Sequence, residues 1–128
     1  MTKKRQHISS GSPYEASIGF SRAVRVADRV IVSGTAPIWA DGSCDPDPEV
    51  QAERCLEIIF SALADAGATR GDVIRTRMFI ADRADADGVA RAHGRAFSDV
   101  RPAASMIVVS GFLDPRWRVE IEAEAIVG

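Results

Sequence analysis

The chain has little of several features that mark particular protein classes. Its 128 residues include only two cysteines, Cys44 and Cys55, too few for the disulfide framework of a small secreted protein. No stretch approaches the roughly 18 consecutive apolar residues that a membrane helix needs. Basic and acidic side chains number 16 and 18, so no positive excess would attract nucleic acid or an anionic membrane. These absences predict a cytoplasmic protein with reduced thiols and with neither nucleic acid nor membrane as a partner.

The signatures of common metal and cofactor sites are also missing. His7 stands in the N-terminal tail and His93 in a predicted helix, and neither has a second metal ligand at a useful spacing. No glycine-rich phosphate loop follows a predicted strand. No Gly-x-Ser-x-Gly turn points to a serine nucleophile. We therefore expect no metal and no cofactor.

What is present is the composition of one ordinary domain. Apolar residues make up 46% and charged residues 27% of the chain, close to globular averages, and a chain of this length buries about two-thirds of its unfolded surface. The first 19 residues contain the breaker cluster Ser9-Ser10-Gly11-Ser12-Pro13 and little periodicity. We therefore predict a lead-in over residues 1–19 without a folded element, followed by a single domain over residues 20–128.

Hydrophobic periodicity within that domain predicts the order β-β-α-β-α-β-β. Two short runs joined at Ala27-Asp28 indicate a hairpin. Asp47 and Pro48 are typical of a helix start, and Gly67 is typical of its end. The remaining predicted elements are a strand over 73–81, a weaker helix after residue 85, and strands over 104–109 and 118–126. The predicted fold class is α+β, with two helices on one face of a single mixed sheet.

The other face of this sheet is expected to carry apolar side chains among its charges. Alternation places Phe79 there, and we expect Met106 beside it. Such a face favours contact with another subunit. The sequence therefore predicts a homo-oligomer.

Three glutamates stand at alternate positions of the last predicted strand: Glu120, Glu122 and Glu124. One interpretation is a solvated strand face. The other is that Arg75 and Arg77 meet these carboxylates across the sheet or between subunits and hold one of them partly buried. A carboxylate so placed could act as a general base towards water or a substrate.

The pair Ser33-Gly34 ends a predicted strand and has two interpretations. A glycine can simply mark the strand terminus, or it can let a ligand approach the backbone closely. Both stay open at this point.

Several segments together resemble the Rid/YjgF family of small proteins, over about residues 20–127. They are Phe20-Ser21-Arg22-Ala23-Val24, Val30-Ile31-Val32-Ser33-Gly34, Ala66-Gly67-Ala68, Gly71-Asp72-Val73, Met78-Phe79-Ile80-Ala81-Asp82, Arg101-Pro102-Ala103 and Val119-Glu120-Ile121-Glu122-Ala123. The resemblance implies a chorismate-mutase-like fold, a homotrimer, and a small-molecule cleft between subunits. It also implies hydrolysis of 2-imino acids to 2-keto acids and ammonia without a metal or cofactor.

Carried over to this chain, the resemblance gives matches and departures. Ser33 and Gly34 match the cleft backbone, and Glu120 matches the glutamate that handles water. Ala104 stands where the family has the arginine that holds the substrate carboxylate, and Phe20 stands where it has a tyrosine. With Met106, Ala104 suggests a more open and apolar cleft.

The missing arginine leaves open what anchors a substrate. Arg22 could substitute, because alternation would place it on the same strand face as Phe20, or it could be solvated or paired at an interface. Tyr14, the only tyrosine, could fold over the cleft or pack on the surface. Two functions follow as alternatives: a hydrolase or deaminase of a small imine or enamine with Glu120 as base, or a non-catalytic trimeric module that binds a small molecule or a protein.

Overall fold

The structure, a computed structural model, describes residues 4–128. One six-stranded sheet is formed by β1 (Arg5–Ile8), β2 (Ala23–Val26), β3 (Arg29–Thr35), β4 (Val73–Ile80), β5 (Ala103–Val108) and β6 (Val119–Ile126). The strand order is β1-β2-β3-β6-β4-β5, antiparallel except for the β4–β5 pair. The predicted α+β class and mixed sheet are confirmed.

The helices are α1 (Pro13–Ile18), α2 (Pro48–Asp65) and α3 (Ala86–Phe97). The Asp47 side chain accepts a hydrogen bond from the Glu49 N–H and so caps α2, as its sequence predicts. Gly67 follows the helix end with φ of 81°, a conformation that glycine adopts without a steric penalty. No helix within residues 4–128 is long and apolar enough to cross a bilayer.

One face of the sheet and the two long helices enclose the core. Along β6 every second side chain is buried, with Ile121 fully so, while the three glutamates alternate with them. Against this face pack Ile59 and Leu63 of α2 and Val89 of α3. The His93 ring of α3 also contacts the sheet, 2.8 Å from the buried Thr76 hydroxyl, so this histidine has a structural role.

The prediction that residues before Phe20 form no element is wrong. Residues 5–8 form β1, which pairs with β2, and residues 13–18 form α1, so the lead-in contributes both a strand and a helix. Ser12 caps α1 by accepting from the Tyr14 N–H, and Pro13 begins the helix. The breaker cluster is therefore partly a helix start.

Two predictions about which residues share a face of the sheet are also wrong. β2 begins at Ala23 rather than Phe20, so Phe20 and Arg22 precede the strand and do not share a strand face. Met106 does not lie beside Phe79 on the uncovered face. It is opposite Met78 in the parallel β4–β5 register and packs against the core, whereas Ile107 is opposite Phe79.

Candidate active site

A cavity of about 580 Å³ lies where β3 ends and β6 begins. Its lining combines the segment before β2, the end of β3, the chain that follows it, and the side of α2. The carboxylate in this lining is Glu120. The position predicted for a general base therefore lines a cavity of the size that small ligands occupy.

Gly34 reaches this cavity through an irregularity in the β3–β6 pairing. Val32 is opposite Ala123 and Thr35 is opposite Ile121, so three residue steps on β3 face two on β6. Such a bulge changes the direction of the strand locally. A Cβ placed on Gly34 would lie 3.7 Å from Glu120 Oε1, which shows how closely the peptide and the carboxylate approach.

Glu120 differs from its two neighbours on β6. Arg77 Nη1 donates to Glu122 Oε1 at 2.6 Å, and Arg29 Nη2 donates to Glu124 Oε2 at 2.8 Å. Within residues 4–128, no hydrogen bond or salt bridge holds the Glu120 carboxylate. Burial raises its pKa, an effect that the charge of Arg22 opposes and that of Glu122 reinforces.

Arg22 is a buried cation beneath the cavity, with 5% of its side chain exposed. Its Nη1 donates to the Gly34 carbonyl at 2.7 Å and to Thr35 Oγ1 at 3.1 Å. Its guanidinium also lies over the Phe20 ring, 5.2 Å from the centroid. Arg22 therefore holds the Gly34 peptide in place, and the hydrogen bonds to Gly34 and Thr35 occupy Nη1 of Arg22.

Glu15 of α1 balances the charge of Arg22. Its Oε2 lies 3.8 Å from Arg22 Nε and accepts hydrogen bonds from the backbone and hydroxyl of Ser10. Burial raises the pKa of Glu15, but the hydrogen bonds from Ser10 and Ser9 and the charge of Arg22 outweigh this and leave the pKa below its ordinary value. The N-terminal segment is thus joined electrostatically to the cavity floor.

Aromatic side chains form much of the wall, and sequence reasoning missed the two tryptophans among them. The lining includes Trp39, Trp117, Tyr14 and Phe20. Tyr14 meets Trp117 edge to face with ring centroids 6.0 Å apart. Tyr14 therefore folds over the cavity. The sequence feature that indicates this position is the helix cap at Ser12 followed by Pro13, because together they begin α1, which carries Tyr14.

The other predicted site residues lie elsewhere in the single chain. The Ser33 hydroxyl donates to the Ser21 carbonyl at 2.7 Å and does not line the cavity. Phe79 is opposite Glu120 on the uncovered face, outside the cavity lining. Ala104 is exposed on β5, opposite Thr76, and so points to the other face of the sheet from Glu120, two strands away. One chain does not bring Ala104 or Met106 to Glu120.

Metal ligands are not grouped in this region. Within residues 4–128, no cluster of three or more histidine, cysteine, aspartate or glutamate side chains could hold a metal ion. The two thiols, Cys44 and Cys55, are both free.

Comparison with known proteins identifies the family. The model of the family described as Endoribonuclease L-PSP matches residues 11–127. The chain belongs to the Rid/YjgF family. The match begins nine residues before Phe20, in keeping with the folded helix α1.

Several known proteins are similar to this chain over most of its length. An uncharacterized protein of Streptomyces coelicolor is 42% identical over 96% of this chain and 92% of its own. A RutC family protein of Haemophilus influenzae is 32% identical over 87% and 89%. The crystal structure of Rv2704 from Mycobacterium tuberculosis, a member of the YjgF/YER057c/UK114 family, superposes with a TM-score of 0.90 at 40% identity, covering 97% of this chain and all of that one.

Proposed function

We propose that this Rid/YjgF protein is a cofactor-independent hydrolase of small imines or enamine-derived imines, with Glu120 as general base. One observation carries the proposal: of the three β6 glutamates, Glu120 alone lines the cavity and has no cationic hydrogen-bond partner among residues 4–128. An ion-paired carboxylate is a weak base, whereas a half-buried, unpaired one with a raised pKa accepts a proton more readily.

The chemistry needs one base and one water. Glu120 accepts a proton from water as the water oxygen attacks the imine carbon, the C=N π pair moves to nitrogen, and Glu120 passes the same proton to that nitrogen, which gives a carbinolamine. Glu120 then accepts the hydroxyl proton as the C=O bond forms and delivers it to the nitrogen as the C–N bond breaks. Ammonia leaves, and the carboxylate is regenerated.

The Gly34 peptide contributes position rather than proton transfer. Arg22 holds its carbonyl, and the absent side chain leaves room beside Glu120 Oε1 for a water or for the imine carbon. Fixing reacting groups in this way lowers the entropic part of the barrier.

Assembly into a homotrimer is part of the same proposal. The uncovered face exposes Ile31 and Ile107, at 48% and 41%, beside the half-buried Phe79. A neighbouring subunit would cover this face and could bring its Ala104 to the cavity, where the family's arginine would stand. Light scattering should give three times the 13.7 kDa chain mass. Ile107→Glu should reduce the mass, whereas Ala64→Glu on the exposed side of α2 should not, and a monomeric wild type contradicts the trimer.

Trapping of imines tests the proposed reaction. Amino acid oxidase generates 2-iminopropanoate, and a flavin amine oxidase generates benzaldimine from benzylamine. Cyanide converts an intact imine to an aminonitrile, whereas the hydrolysed carbonyl gives a cyanohydrin. We expect the protein to lower the aminonitrile yield from at least one imine. Unchanged yields from both would contradict hydrolysis.

That outcome would favour a second function, a non-catalytic module that binds a small molecule or a protein. Its supporting observation is Ala104, whose methyl group cannot hold a substrate carboxylate.

The cytoplasm remains the proposed location of the protein, supported by the two free thiols.

A further inference from the structure

Aromatic residues are concentrated at the cavity to a degree that the proposed hydrolysis does not require. The chain has two tryptophans and one tyrosine, and all three line this one cavity. Ile38, Ile58 and Leu113 extend the apolar surface, and Leu113 is 73% exposed at the rim. Attack of water on a small imine needs a carboxylate and a positioned peptide, not a wall of rings. Such a wall favours a flat, apolar group on the ligand.

The charges of the cavity argue against an anionic ligand. Three charged side chains line it: Arg22, Arg54 and Glu120. Arg22 is balanced by Glu15, and its Nη1 is occupied by Gly34 and Thr35. The remaining carboxylate, that of Glu120, lies within the field of Arg22 but has no salt bridge among residues 4–128.

Arg54 is more exposed than Arg22 and also has partners within the chain. Its Nε donates to the Ile38 carbonyl at 2.7 Å, and its Nη1 lies 3.2 Å from Glu57 Oε2. A ligand carboxylate at Arg54 would compete with Glu57 for the guanidinium, and one close to Glu120 would be repelled by that carboxylate. A ligand with a neutral or positively charged nitrogen group meets no such opposition, since its charge complements Glu120.

We infer that the ligand of this cavity is a neutral or protonated imine, or an equivalent planar C=N group, that bears an aromatic or similarly flat apolar substituent and no carboxylate. The inference rests on the proposed function for the role of Glu120 and adds the substrate class. The planar C=N group meets the carboxylate, and the ring lies against the tryptophans and Tyr14. A protonated nitrogen gains further from the ring faces through cation–π attraction.

Binding of stable analogues to the full chain tests this inference without turnover. Benzamidine carries a ring and a planar cationic C–N group, acetamidine lacks the ring, and benzoate replaces the cation by a carboxylate. Isothermal titration calorimetry should give a Kd for benzamidine at least tenfold below that for either of the others. Equal or tighter binding of benzoate overturns the inference, as does equal binding of acetamidine or absence of benzamidine binding at millimolar concentration.

Variants separate the ring contact from the charge. Trp39 is only half-buried, so Trp39→Leu should fold and weaken benzamidine at least fivefold, whereas Phe112→Leu, outside the cavity lining, should not. Glu120→Gln should weaken benzamidine but leave neutral benzamide unchanged. Equal loss of both ligands, or no loss of either, contradicts the charge argument.

The two proposals fail separately. If imine trapping depends on Glu120 while benzamidine gains nothing over benzoate, hydrolysis stands and the inferred substrate class is wrong. If benzamidine binds as expected while neither imine is hydrolysed, the ligand class stands and the enzyme proposal is wrong.

Discussion

Glu120 and Gly34 face each other across neighbouring strands, with 3.7 Å between Oε1 and the position that a Cβ on Gly34 would occupy. The approach depends on the bulge that shifts the β3–β6 register between Val32 and Thr35. A regular ladder would keep the strand direction unchanged at this point. The bulge therefore sets the geometry on which the proposed chemistry relies.

Gly34→Ala tests the space beside the carboxylate. The new methyl group would make ordinary van der Waals contact with Glu120, and the Gly34 φ is not in the left-handed region, so the fold should accept alanine. Stability should be unchanged or higher by up to about 1 kcal/mol, while imine hydrolysis should fall roughly ten- to a hundredfold because the reacting groups are displaced. Full activity in the aminonitrile assay would show that this space is not used.

Glu15→Gln tests the buried charge pair. The amide can still accept from Ser10, but Arg22 would be left buried without its salt-bridge partner, which costs on the order of 3 kcal/mol. Glu57→Gln is the matched control, because its exposed pair with Arg54 is worth about 1 kcal/mol or less. Urea denaturation measures both. A Glu15 variant as stable as the control would show that the pair contributes nothing.

The same pair predicts how stability depends on pH. The folded-state pKa of Glu15 lies below its ordinary value, so the contribution of this group is present above that value. It is lost as the pH falls through the folded-state pKa. In Glu15→Gln this part of the acid dependence should be missing, which denaturation midpoints at pH 3 to 6 can measure.

The pH dependence of hydrolysis should report Glu120. The base works only when it is ionised, and its pKa is raised by burial, so activity should fall on acidification with a midpoint above the ordinary value of 4.5. Glu122→Gln should keep the profile apart from a small downward shift, because the charge of Glu122 contributes to the raised pKa. A midpoint at or below 4.5 would mean that another group is the base.

Ala104→Arg tests whether an arginine at this position, where the family has one, would bind a substrate carboxylate. Ala104 is exposed on an edge strand, so the longer side chain can be accommodated. If the trimer brings β5 of a neighbour to the cavity, the new guanidinium should hold a carboxylate through charge-assisted hydrogen bonds. Hydrolysis of 2-iminopropanoate should then rise at least tenfold, while that of benzaldimine should not. No gain in a confirmed trimer would place Ala104 outside the cleft.

Much of the fold could be predicted because its signals are local. The cap at Asp47 and the turn at Gly67 define α2, and alternation along β6 places Ile121 inside and Glu120 outside. The same cap chemistry at Ser12 defines α1, but the helix has only six residues and lies in a breaker cluster. β1 gave even less signal, since Ile8 is its one buried side chain.

The candidate site was only partly predictable because it depends on contacts between distant segments. The last strand alone offered three candidate glutamates, and the resemblance to the Rid/YjgF family pointed to Glu120 among them. The hydrogen bond from Arg22 to the Gly34 carbonyl depends on how the segment before β2 packs against the end of β3. The aromatic wall depends on the loops that carry Trp39 and Trp117. Met106 was placed on the wrong face because the parallel register with β4 could not be deduced from alternation alone.

Glu120→Gln compared with Glu122→Gln tests the central claim most directly. Both glutamates stand on the same side of β6, but Glu122 is paired with Arg77 and Glu120 lines the cavity. Removing the charge of a carboxyl group with a raised pKa should not lower stability at pH 7, so the Glu120 variant should melt no lower than wild type. In the aminonitrile assay, Glu120→Gln should lower imine hydrolysis by about a hundredfold or more, and Glu122→Gln should leave it within about threefold of wild type. Equal activity of the two variants would contradict Glu120 as the base.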